Sequence, residues 1–95
     1  MKLKWTLIAD VELLQLVTYV YPRNRYAALK LHSRTRLRVR QLERFPFSGR
    51  PGRMPGTREL IVGKSPYIAV YVVEEETVTI HHIVHTSRQW PPEDE

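Results

Sequence analysis

The sequence has no cysteine among its 95 residues. That excludes disulfides, thiolate nucleophiles and cysteine-ligated zinc, and it leaves stability to the core alone. A chain of this length buries only about 60–65% of its unfolded surface, so that core is modest. No apolar run approaches the ~18–20 residues that span a bilayer. Lys2 and Lys4 precede an apolar stretch, but Asp10 and Glu12 interrupt it and no small-residue cleavage site follows. The expectation is a soluble, cytoplasmic protein without a targeting segment. Glycine is also scarce, and three of the four glycines fall in residues 45–57.

Acidic residues are nearly absent from the middle of the chain. Residues 22–58 hold eleven bases and one acid, Glu43, a net of +10, which leaves −5 for the remainder. Ten of those bases are arginine, whose planar fork suits bidentate contact with phosphate or carboxylate. A long run of like charge repels itself and calls for a partner.

Local patterns order the rest. Residues 2–7 alternate lysine with apolar residues and read as a short strand. Leu13, Leu16, Val17, Val20 and Tyr21 then recur at helical spacing until Pro22 stops the helix. Asn24 is a fair N-cap for a second helix. There Arg34, Arg36, Arg38 and Arg40 alternate at strand period, while Ala28, Leu31, Thr35, Val39 and Leu42 share a helical face. About twenty residues without glycine or proline favour the helix, with Arg38 forced to snorkel out or pair. Residues 45–57 form a loop shaped by glycine and proline. Residues 58–62, 67–73 and 77–85 read as three strands joined by short turns. On strict alternation Val78, Ile80, His82 and Val84 share one face of the last strand, and Thr79, His81, Ile83 and His85 the other. The expected architecture is α+β, in the order β-α-α-β-β-β. An antiparallel sheet carries the two N-terminal helices on one face. One domain covers residues 1–91, and 92–95 form an acidic, disordered tail.

Three stretches carry a resemblance: GRPGRMPGTREL at residues 49–60, SPYIAVY at 65–71 and HTSRQWP at 85–91. Together with LERFP at 42–46 and the element order, they resemble the RelE/ParE superfamily of bacterial type II toxins. His82 stands where such toxins commonly carry arginine, and Thr86 where they carry glycine. The resemblance implies a toxin neutralised by a cognate antitoxin in a hetero-oligomer. It implies one of two activities. RelE-like members cleave messenger RNA on the ribosome, and ParE-like members block DNA gyrase without a catalytic site. The expectation taken from the sequence is the first, a metal-independent endoribonuclease acting on ribosome-bound mRNA; gyrase inhibition is the alternative.

Metal-free RNA cleavage needs a base for the 2′-hydroxyl, cations for the phosphate and an acid for the leaving oxygen. The catalytic candidates are Arg58 as phosphate clamp, His85 as general acid and Arg88 beside them at one end of the sheet. Arg50 and Arg53 of the loop, with Arg36 and Arg40 of the basic helix, would bind RNA. Glu59 is either a base or half of a cross-strand ion pair. His82 reads as a satisfied, half-buried residue, and Trp90 either stacks on a base or closes the core. His81 and His85 lie four residues apart on a strand, roughly 13 Å, which is no metal pair. No cofactor and no metal is expected.

Overall fold

A computed structural model describes residues 1–63, 66–87 and 89–92. The elements are β1 (Lys2–Trp5), α1 (Leu7–Val20), α2 (Arg25–Arg40), a 3-10 turn (Gln41–Glu43), β2 (Arg50–Pro51), β3 (Arg58–Ile61), β4 (Tyr67–Glu74) and β5 (Thr77–His85). They form one five-stranded sheet, ordered β1-β5-β4-β3-β2. Strands β2 to β5 pair antiparallel, as the short turns require. The expected antiparallel sheet needs two corrections: residues 45–57, read as loop, contribute a short fifth strand, β2, and β1 lies parallel to β5, so the sheet is mixed. The reason is the edge. With β4 on one side of β5, the other side is free for β1, which places Leu3 and Trp5 against the core. The chain leaves that ladder at Thr6, whose N–H donates to Ile80 O (3.0 Å).

Thr6 then caps α1, its Oγ1 accepting from Ala9 N–H. The helix therefore starts at Leu7, the last residue of the stretch read as strand. Asn24 caps α2 as expected, its side chain accepting from Ala27 N–H. The apolar stripe also wins over the arginine alternation: Ala28, Thr35 and Val39 are fully buried, and the 3-10 turn carries Leu42 into the same core. Arg38 pairs outward, donating to Ile61 O and Gln41 Oε1. Both helices pack on one sheet face, where Ala9, Leu13, Val39, Leu42, Leu60, Tyr71, Val78, Ile80 and Ile83 form the main cluster. Each large aliphatic side chain buried there contributes about 1.5–3 kcal/mol.

Alternation along β5 breaks once. Tyr71 pairs with Ile80 but Val70 pairs with His82, so His81 is an extra residue, a β-bulge. The bulge reverses the facing of everything after it. Val78, Ile80 and Ile83 face the helices, while Val84 faces the opposite, open side with Ile68, Val70 and Trp90. This corrects the face assignment read from strict alternation: His82 no longer shares a side with Val78 and Ile80. No helix among the described residues is long and apolar enough to cross a membrane.

Candidate functional site

The glycine- and proline-rich loop is built around Tyr71. Its phenol is wholly buried, donates to Pro46 O (2.8 Å) and accepts from Gly49 N–H (3.0 Å). Burial pushes this phenol above the ordinary value, more than Gly49 N–H lowers it. Gly49 is required for the approach, since a Cβ there would stand 2.6 Å from Tyr71 Oη and 2.9 Å from Glu59 O. Arg58 serves the same loop. Its guanidinium donates to Gly49 O (2.7 Å) and Phe47 O (3.3 Å) and lies over the Phe47 ring (5.0 Å). The residue expected to clamp a phosphate thus holds loop carbonyls.

On the open face, Arg50 sits opposite Glu59. Glu59 is 1% exposed and accepts from Arg50 Nη2 (3.1 Å) and Nε (3.3 Å) and from the Arg53 backbone N–H (3.0 Å). Of the two readings of Glu59, the geometry is that of the cross-strand ion pair. Arg53 also donates to Trp90 O (3.2 Å), which ties the C-terminal segment across the sheet. Trp90 covers Ile68, Val70 and Val84 and touches the His82 ring at 4.7 Å. His82 Nδ1 in turn lies 3.1 Å from Glu12, which also accepts from Ile83 N–H (3.1 Å). Glu12 thereby seals the β5 edge beyond the end of β1. His82 is half-buried against Glu12 and Trp90, while Trp90 packs on the open-face cluster with its Nε1 unpaired among the described residues.

Two of the proposed catalytic residues, Arg58 and His85, stand in different rows of the sheet. Arg58 lies in register with Tyr71, whereas His85 lies in register with Tyr67. Four residues along a strand and two strand spacings separate the two rows, roughly 16 Å. The register thus sets the two backbone positions in rows that far apart. His85 Nδ1 accepts from Ser87 N–H (3.0 Å), with Ser87 Oγ at 2.6 Å, and its ring meets Tyr67 edge-on. Arg88 lies outside the described residues. Of the helix arginines, Arg36 bonds Asp10 (2.9 Å) and stacks over Trp5 (4.0 Å), joining α2 to α1 and β1. Arg40 stands free apart from a 3.8 Å approach to Glu43. Among the described residues no group of three His, Asp or Glu could hold a metal ion.

One concave surface was not foreseen. A groove of about 640 Å³ runs between α2 and the end of the sheet. Val20, Leu31, Leu37, Val62 and Tyr67 line it with apolar surface, and Lys30, Arg34 and Arg38 stand along it. Leu37 was its signal: it lies off the buried stripe, between Arg36 and Arg38, and is 65% exposed.

Comparison with known proteins decides the family. The model of the "ParE toxin of type II toxin-antitoxin system, parDE" matches residues 3–90. The chain belongs to the ParE toxin family. A relative named "Putative toxin Y4kP", from Sinorhizobium fredii (strain NBRC 101917 / NGR234), is 36% identical over 90 residues, covering 95% of this chain and 93% of that protein. A solved chain described as "Chromosomal ParDE TA system from P. aeruginosa" superposes with a TM-score of 0.82 at 27% identity, covering 90% of this chain and 95% of the other. The resemblance read from residues 42–91 is therefore one of family, and the α+β architecture is that of a ParE toxin.

Proposed function

We propose that this ParE-family toxin acts by binding DNA gyrase and not by cutting messenger RNA. The observation that carries this reading is the separation of Arg58 from His85, each spent on an intramolecular contact: Arg58 on loop carbonyls, His85 on Ser87. General acid catalysis at a clamped phosphate needs the two within reach of one reacting group. A toxin that works by occupying a protein has no such requirement. The ribonuclease reading and the binding reading separate on one variant. His85→Ala should arrest growth as the parent does, with DNA-damage signalling and uncut messages. Loss of arrest in a folded His85→Ala variant, with cleaved messages in the parent, would restore the ribonuclease.

Neutralisation follows from the groove along α2. A cognate antitoxin segment that is amphipathic and acidic would lay apolar side chains on Leu31 and Leu37 and carboxylates on Lys30, Arg34 and Arg38. Its capture is steered by charge, so the association rate should fall steeply as salt rises. An association rate unchanged at about 1 M salt would rule out steering. Leu37→Asp places a negative charge among apolar contacts and should weaken the complex at least about tenfold, with the toxin fold intact because Leu37 is exposed.

A further inference from the structure

The tip of the helical hairpin, residues 19–30, gathers exposed rings and cations. Three tyrosines there stand in solvent: Tyr19 at 64%, Tyr21 at 43% and Tyr26 at 67% exposure. Each has a cation over its ring. The Arg23 guanidinium lies 3.9 Å from the Tyr19 centroid, that of Arg25 5.3 Å from Tyr21, and Lys30 Nζ 4.6 Å from Tyr26. Arg23 is further fixed by a 2.6 Å bond to Tyr19 O.

The described acids are all elsewhere. Asp10 is engaged by Arg36 and Glu12 by His82, both on the early turns of α1. Glu43 follows the far end of α2, and Glu59 is buried under Arg50. Glu74 ends β4 and Glu75 and Glu76 form the turn to β5, at the opposite end of those strands from Tyr67 and His85. Among the described residues, the tip's cations thus face rings and solvent, with no ion pair to a carboxylate. A partner that offers only carboxylates would meet the cations and leave three phenol rings in water. A partner that carries an anion and a flat ring in each repeat unit meets both.

We infer that the hairpin tip binds a single-stranded nucleic acid, with Arg23, Arg25 and Lys30 on phosphates and Tyr19, Tyr21 and Tyr26 against unpaired bases. Only a single strand exposes base faces to such rings, because a duplex keeps them stacked inside. The phosphates and base faces that the tip meets are common to DNA and RNA, and the phenol oxygens and the second lone pair of Asn24 Oδ1 leave acceptors for a 2′-hydroxyl. The inference goes beyond the gyrase reading and does not depend on it. Arg58 and His85 take no part, and Tyr19, Tyr21, Arg23 and Arg25 lie outside the antitoxin groove.

The test is fluorescence anisotropy with the full chain and a labelled oligodeoxythymidine of about 20 nucleotides, titrated at several salt concentrations. Binding should be saturable and weaken with salt. The double variant Arg23→Ala/Arg25→Ala should reduce the slope of log affinity against log salt by about 1.4. Tyr19→Ala/Tyr21→Ala should weaken binding about fivefold or more at unchanged slope. A duplex of equal length should bind less tightly, and oligouridine should bind comparably to the DNA strand. All four substituted residues are exposed, and unchanged circular dichroism confirms that the variants fold. The proposal fails if no saturable binding is seen, if the tyrosine variant binds like the parent, or if the duplex binds as tightly as the single strand.

Discussion

Tyr71→Phe is expected to cost about 2–3 kcal/mol of stability, the larger part from one unsatisfied amide. The phenol is buried with no access to water, and its oxygen both accepts from Gly49 N–H and donates to Pro46 O. Phenylalanine keeps the packing against Leu13, Leu42 and Ile80 and removes only those two bonds. Gly49 is itself buried, so its N–H has no replacement acceptor. The loop that presents Arg50, Arg53 and Arg58 should loosen with it. Urea unfolding, read as a shift in midpoint at constant slope, measures the cost. A loss within about 0.5 kcal/mol would mean that the loop is not anchored there.

The same residue carries a pH dependence. Its folded pKa is raised by burial above the ordinary 10.0. The stability associated with the neutral phenol is therefore complete below that ordinary value and is lost as pH rises from it toward the raised folded value. The parent should lose stability above about pH 10, and Tyr71→Phe should lose less over the same window.

Glu59→Ala should cost a similar amount, about 2–3 kcal/mol, discounted from the figure for a fully buried pair because both arginine partners are nearly half exposed. Its consequence is wider than one ion pair. Glu59 orients Arg50 and the Arg53 backbone, and Arg53 holds Trp90 O against the open face. Release of that contact should shift Trp90 emission to the red and expose Val70 and Val84. Arg53→Ala should reproduce the emission change with a smaller loss of stability, because Arg50 still pairs with Glu59. Equal losses in the two variants would place the anchoring in Arg53 alone.

Much of this could be read from the chain. The caps at Asn24, the stop at Pro22 and the stripe Ala28–Thr35–Val39 are local signals, and local signals decide helices. The three later strands followed from their turns. The site was less legible, for a physical reason. Arg58, His85 and Arg88 were grouped because each stands at a strand boundary, but boundaries at opposite ends of a sheet look alike in one dimension. Register sets the rows of Arg58 and His85 apart, and register depends on which residues pair across strands. The bulge at His81 illustrates the same limit: one extra residue reverses the facing of Ile83 and Val84, and nothing in the alternation announces it. Parallel pairing of β1 was hidden too, because its partner lies more than seventy residues away. Charge behaved similarly. The count of +10 over residues 22–58 was correct, yet Arg36, Arg38, Arg50, Arg53 and Arg58 are largely spent inside the molecule. The cations left to meet a partner are those of the hairpin tip and the groove.

On the proposed reading, this ParE-family toxin works by occupying DNA gyrase. Purified toxin added to a gyrase supercoiling reaction, run beside translating ribosomes supplied with a defined message, is the direct test. Supercoiling should be inhibited at a toxin concentration that leaves the message intact, with His85→Ala equal to the parent in both reactions. Unimpaired gyrase together with message cut on the ribosome, abolished by His85→Ala, would contradict it.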